Sequence, residues 1–271
     1  MKLTPKFMPA RAAVAALAAL VIAALIGFTH TVGSAHSAPE PDGNTRQPIL
    51  VELFTSEGCS DCPPADALLT ELARTQPVAG AEIVPIEEHV DYFNTRAWSD
   101  PFSSHAYTLR QERYREAYSD SEIYTPQMIV QGGHGFVGSE RDKALATVRQ
   151  AVGQTDAGVK LSATRDAQGK LNVTVAADTN ERANTVLVLA LTQDNLSSDV
   201  EGGENAGRTL VHNAVARYMA PIGQLSGPGR VTAAQTITLN PQWPRGGLNL
   251  IAFLQDPRSR KILGVAAIPA P

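Results

Sequence analysis

Between residues 48 and 153, short apolar runs alternate with amphipathic ones, and this alternation narrows the possible folds more than any other feature. ILVELF (49–54) is apolar and partly β-branched, as a buried strand requires. Pro63-Pro64 can open a helix, because proline is tolerated in a first turn. ADALLTELART then sets Leu68, Leu69 and Leu72 on one face. EIVPIEEHV (82–90) predicts a second strand. SSHAYTLRQERYREAY (103–118) predicts a helix with Tyr107, Tyr114 and Tyr118 near one stripe. YTPQMIVQGGHGFVG (124–138) reads as two short strands turning at Gly132-Gly133. SERDKALATVRQAV (139–152) reads as a last helix capped by Ser139. The order strand, helix, strand, helix, strand, strand, helix implies a mostly parallel sheet that ends in an antiparallel hairpin.

From about residue 159 the helical period disappears. VKLSAT, KLNVTVAA, TVLVLALTQ, RTLVHNAVARYMA, RVTAAQTITL, LNLIAFLQD and KILGVAAI recur between the turn signals DAQG, GQLSGPG, NPQWPRGG and DPRS. About seven short strands with Gly/Pro turns predict a compact antiparallel sandwich. The expected fold class is α/β, with an alternating unit over 48–153, a boundary near GQTDAG (153–158), and a β-rich, sandwich-like domain over 158–271.

The N-terminus stands outside this pattern. Lys2, Lys6 and Arg11 precede the apolar run 12–28, and small, polar residues follow it. That is the pattern of an export signal, with cleavage after Ser37 or Ala35, or of an anchor retained through residues 12–28. Residues 1–38 are therefore assigned to export and 39–47 to a linker. Either version delivers the remainder to the periplasm or the extracellular side, anchored to the inner membrane if the run is kept. The formal net charge of -4 and pI near 5.9 exclude a basic nucleic-acid-binding surface.

The chain has only two cysteines, Cys59 and Cys62, in SEGCSDCPPAD. An exported protein can hold such a pair as a disulfide. At a helix start, free N–H groups and the helix dipole stabilise a thiolate on the exposed first sulfur. Cys59 is then the attacking nucleophile, and Cys62 resolves the mixed disulfide. Two features temper this. Pro63 disfavours helical backbone at Cys62, so the helix can begin after the pair. Glu57 and Asp61 oppose the thiolate with their charge. The expected couple leans reducing or rests oxidised.

Two other readings stand beside this one. A disulfide closing so short a loop can be an inert staple, constraining the unfolded chain little. A copper or zinc site would draw on His89, His105, His134 or His212, but no third ligand is fixed, so no metal is assigned. His89 reads as a satisfied structural histidine and His134 as a turn residue. Tyr92, Phe93 and Trp98 read as loop anchors. Glu204, Asn205, Arg208 and His212 read as a polar network between the two halves.

The element order, with CxxC between the first strand and first helix, resembles the minimal thioredoxin fold. Thr125-Pro126 falls where that fold carries a cis-proline, which implies that the two residues shape a substrate groove and that Thr125 offers its backbone to a substrate strand. VELFTSEGCSDCPPAD, EEHVDYFNTRAWSDPF, IYTPQMIVQG and GENAGRTLVHNAVARY resemble, in succession, the signature segments of the bacterial domain-of-unknown-function family 1223. That likeness runs from residue 48 to the C-terminus. It implies an exported thioredoxin-like domain with a β-rich companion and carries onto Cys59, Cys62, Thr125 and Pro126. Unlike thioredoxin proper, this chain has no aromatic residue before the first cysteine and has Ser60-Asp61 between the two. The expected activity is thiol-disulfide exchange in the cell envelope on protein thiols or disulfides, without a cofactor. A binding module with a static disulfide, or a copper or zinc delivery protein, is the alternative.

Overall fold

A computed structural model describes residues 46–271; the assignments made for residues 1–38 and for most of the 39–47 linker lie outside the described residues. The elements run β1 Gln47–Thr55, α1 Pro63–Thr75, β2 Ala81–His89, α2 His105–Tyr118, β3 Gln127–Val130, β4 Phe136–Val137 and α3 Arg141–Ala151. Strands follow: β5 Ala157–Arg165, β6 Leu171–Thr179, β7 Asn184–Gln193, β8 Leu196–Asp199, β9 Thr209–His212, β10 Val215–Ser226, β11 Gly229–Ile237, β12 Leu248–Gln255 and β13 Ile262–Pro269. The protein is a mixed α/β structure, mostly sheet, with three helices among the described residues.

One eight-stranded mixed sheet, in the order β13-β12-β7-β10-β2-β1-β3-β4, runs through the molecule. β1 pairs parallel with β2, placing Ile49 opposite Ile83, and antiparallel with β3, placing Val51 opposite Val130. β2 meets β10 in parallel at a single step, Val215 opposite Glu87, closed by the Glu87 N–H donating to the Ala214 carbonyl at 2.8 Å. The sheet therefore continues across the boundary expected at 153–158.

Its faces are covered by different material. α1 and α3 close over Ile49, Val51 and Leu53 on one face. Farther along the same sheet, the three-stranded β11-β6-β5 sheet brings Leu171, Val173 and Val175 against Leu187, Leu189 and Leu191. β6 alternates buried and exposed residues, as a strand with one wet face must. β7 is buried almost throughout, because both its faces are covered. The opposite face joins Leu50, Val84 and Ile86 to Val188, Ala190, Ile251 and Phe253, with Tyr107 of α2 packed on them. Residues from before and after the expected boundary thus share one core.

Three details differ from the sequence expectation. α3 begins at Arg141 with Glu140 as its cap, and Ser139 does not cap it. The stretch 208–220 is two strands, because Asn213 and Ala214, the latter at φ 55°, turn the chain between β9 and β10. β8 is an extra short strand that pairs with β9 in a separate hairpin. Nine strands therefore stand where about seven were expected, and four of them extend the large sheet. Among the described residues, no helix is long and apolar enough to cross a membrane.

Candidate functional site around the cysteine pair

The cysteines lie in the tight connection between β1 and α1. Cys59 and Cys62 form a disulfide, with Cα atoms 5.5 Å apart. Helix α1 begins directly after the pair, and Cys62 serves as its cap. Cys62 nonetheless has helical backbone (φ -77°, ψ -42°), against the usual preference of a residue before proline. Hydrogen bonds account for this. Cys62 N donates to the Cys59 carbonyl, while Ala65 N and Asp66 N donate to the Cys62 carbonyl at 2.8 and 3.1 Å.

The Thr125-Pro126 peptide is cis. Pro126 accepts from Gly138 N, and Gly138 packs against Pro126, Leu53 and Ala65, so the turn sits beside the first turn of α1. Gly138 has no room for a side chain there, since an added Cβ would lie 2.6 Å from Leu53 Cδ1. Phe93 lies against Gly58 and Tyr92 donates to Gln111, so these residues anchor the 91–104 loop beside the cysteine connection. Burial pushes the Tyr92 hydroxyl up to about 12.

Cys59 was expected to be exposed, and it is not. It is 4% exposed and Cys62 is fully buried; only Ser60 and Asp61 of the connection reach solvent. The cause is the loop between β8 and β9. Asn205 Nδ2 donates to the carbonyls of Glu57 (2.9 Å) and Cys59 (2.8 Å), Ser60 N donates to Glu204 Oε2 (2.9 Å), and Arg208 holds the Asn205 oxygen at 2.7 Å. Glu204, Asn205 and Arg208 were read as a polar network between the halves. They form a strap over the disulfide.

Beneath the pair lies a dense polar cluster. His89 Nδ1 is 2.7 Å from Asp100 Oδ2, and His212 Nδ1 is 2.7 Å from Glu87 Oε1. Glu57, two residues before Cys59, receives the indole N–H of Trp98 and the hydroxyl of Ser198, and stands 3.3 Å from His212 Nε2. Thr55 Oγ1 donates to Asp66 at 2.7 Å. All four carboxylates and both imidazoles are buried. Burial and the nearby Glu87 charge push Asp66 up to about 7. Burial alone would depress His212, but hydrogen bonds to Glu57 and Glu87 outweigh it and lift the ring to about 9. His89 is raised likewise, its burial outweighed by Asp100 and Glu87.

In the sequence His89 and His212 stood among four candidate histidines, with nothing to bring any two together. The step between β2 and β10 brings their rings to 4.7 Å. Asp66, Glu87 and Asp100 carried no signal, since lone acids usually face water, and Glu57 was read only as a charge opposing the Cys59 thiolate. His134 packs on Tyr118 and His105 pairs with Asp91, both away from the cluster. Clefts of about 550, 760 and 720 Å³ lie elsewhere and are not lined by either cysteine.

A family profile described as "Protein of unknown function (DUF1223)" matches residues 50–255, from β1 through β12. The chain belongs to this family. The match takes in both cysteines, the Thr125-Pro126 turn, the strap and the whole buried cluster. No curated protein matches this DUF1223 chain. Among solved structures, an Agrobacterium tumefaciens protein determined by X-ray crystallography aligns with a TM-score of 0.63 at 20% identity, covering 84% of this chain and 96% of that one. HBP35 of Porphyromonas gingivalis aligns with a TM-score of 0.61 at 13% identity, covering 83% and 76%. At such identities these likenesses concern the fold alone.

Proposed function

We propose that this DUF1223 protein is a thiol-disulfide exchange protein of the cell envelope. The observation that carries the reading is the place of the disulfide: at the head of α1, whose Ala65 packs with Pro126 around Gly138, among buried acids and imidazoles. The order β1-α1-β2-α2-β3-β4-α3 and the sheet order β2-β1-β3-β4 support a thioredoxin-like unit over 48–153. Residues 158–271 are its β-rich companion and supply the strap. A partner dithiol first reduces the Cys59–Cys62 disulfide and is itself oxidised; the freed Cys59 thiolate then attacks a protein disulfide, a mixed disulfide forms at Cys59 and the partner's departing sulfur leaves as a thiolate. Cys62 then attacks Cys59, restoring the internal disulfide and releasing the partner's second sulfur. Thr125 and Pro126 line the groove for the partner. The N-terminal signal, cleaved or retained as an anchor through 12–28, places the chain where protein thiols and disulfides are its partners.

Burial of Cys59 favours a second reading, a binding module with a static disulfide. Cys62→Ser, expressed with its N-terminal segment, separates the two. Exchange leaves partners covalently trapped on Cys59, released by reductant and missing from Cys59→Ser. A Cys62→Ser protein without adducts, together with wild-type protein inert toward insulin disulfides, leaves the static module.

A further inference from the structure

The cluster beneath the cysteines has a geometry of its own, independent of exchange chemistry. Glu87, His89 and His212 converge with one ligand-type atom each, all within 4.8 Å of one another. Tetrahedral donors about 2.0–2.1 Å from a zinc ion stand roughly 3.3 Å apart. Glu87 Oε1 and His89 Nε2 are already 3.2 Å apart, and Glu87 Oε1 to His212 Nδ1, at 2.7 Å, has only to open slightly.

Two further observations point to a cation. His89 donates its Nδ1 hydrogen to Asp100, which leaves Nε2 as the ring's free atom. That atom is fully buried, faces Glu87 and makes no hydrogen bond. His212 turns Nδ1 to Glu87 Oε1 at 2.7 Å, and its Nε2, 3.3 Å from Glu57, is likewise buried without a hydrogen bond. A carboxylate behind each imidazole orients a metal-binding histidine and raises its basicity. The second observation is the donor set. Four carboxyl groups and two imidazoles meet in a buried volume, the oxygen and nitrogen ligands that a zinc-like cation takes.

We infer that Glu87 Oε1, His89 Nε2 and His212 Nδ1 form a binding site for one zinc-like divalent cation, with Asp100 and Glu57 orienting the two rings. Asp66 Oδ2, 3.9 Å from His212 Nδ1, is placed to supply a fourth oxygen. The ligands come from β2 and β9, and the supporting acids from the cysteine connection and the 91–104 loop. A bound ion would cross-link the segments that meet where β2 and β10 join. The site uses neither sulfur, so it stands or falls separately from thiol exchange.

The test is cobalt binding to the chelator-stripped, disulfide-intact chain, and in parallel to the Cys59→Ser/Cys62→Ser double variant. Expected are one cobalt per chain, visible tetrahedral bands without sulfur-to-metal charge transfer, the same spectrum from both proteins, and displacement by zinc. His89→Gln and His212→Gln should weaken binding at least 100-fold. Asp100→Asn, which keeps all three ligands, should weaken it 10–100-fold, the range for a partner behind a ligand. His105→Gln should leave it unchanged. No stoichiometric cobalt on the wild-type chain overturns the site and leaves a closed hydrogen-bonded network. So does binding lost in the cysteine-free protein, or binding equal in wild type and Asp100→Asn. The wild-type and Asp100→Asn measurements decide even if a histidine variant fails to fold.

Discussion

Glu52 sits in the middle of the apolar run of β1, yet it is fully buried. A carboxylate can occupy that position only with partners, and α2 supplies them. Arg110 Nε donates to Glu52 at 2.6 Å and the Tyr114 hydroxyl at 2.5 Å. The two donors are four residues apart, on one face of the helix. Arg110 also reaches Gln255 of β12 at 3.2 Å, so one side chain ties three elements together. Removing Glu52 leaves buried Arg110 with only the more distant Glu88 carboxyl, 3.5 Å away. Glu52→Ala should therefore cost about 3–5 kcal/mol in urea unfolding, and Glu52→Gln less, since its carbonyl still accepts from Arg110. A loss for Glu52→Ala within the error of the measurement would show that the pair contributes nothing. The tyrosine stripe of α2 was readable in the sequence from helical spacing. The ion pair was not, because a charge inside a strand shows nothing of what lies across the interface.

The strap between β8 and β9 decides how the disulfide meets solvent. The sequence pointed to Glu204, Asn205 and Arg208 as polar contacts between the halves, but could not say that they cover Cys59. Two hydrogen bonds from one amide make Asn205 the principal clamp, so Asn205→Ala should speed reduction of the disulfide severalfold. An unchanged rate would mean that reduction proceeds by another route. Gly202 allows the close approach: an added Cβ would lie 2.6 Å from the Ala97 carbonyl oxygen.

Acid should loosen the same strap. The hydrogen bond from Ser60 N holds the Glu204 carboxyl below its ordinary value of 4.5. A group depressed in the folded state contributes fully above its unfolded value, and that contribution is lost as pH falls through the folded one. Reduction by a phosphine, which remains active in acid, should therefore accelerate as pH drops below about 4.5 in the wild type, relative to Glu204→Gln. Parallel profiles for the two proteins would remove Glu204 from the account.

At the scale of the molecule, the large sheet and the core around Leu50, Val84, Val188 and Phe253 join the parts before and after residue 153. Neither part can lose its structure without exposing the other's apolar face. The two tryptophans report on the two parts, Trp98 beside the cysteine connection and Trp243 beside β12. Trp98→Phe and Trp243→Phe should each show one urea transition, with the remaining tryptophan's fluorescence coinciding with far-ultraviolet circular dichroism. Separated midpoints would mean that the parts unfold independently.

Hydrophobic period, turn residues and cysteine spacing are local properties. By itself the sequence therefore determined the order of the elements, the change of texture near residue 157, the cysteine pair at the start of α1 and membership of the family. Tertiary structure alone decided that β10 joins β2, that a loop from beyond residue 200 covers Cys59, and that Glu87, His89 and His212 converge. Each of these depends on which edge and which loop meet in space. Strand edges pair through backbone groups common to every residue, so the sequence carries no mark of the choice.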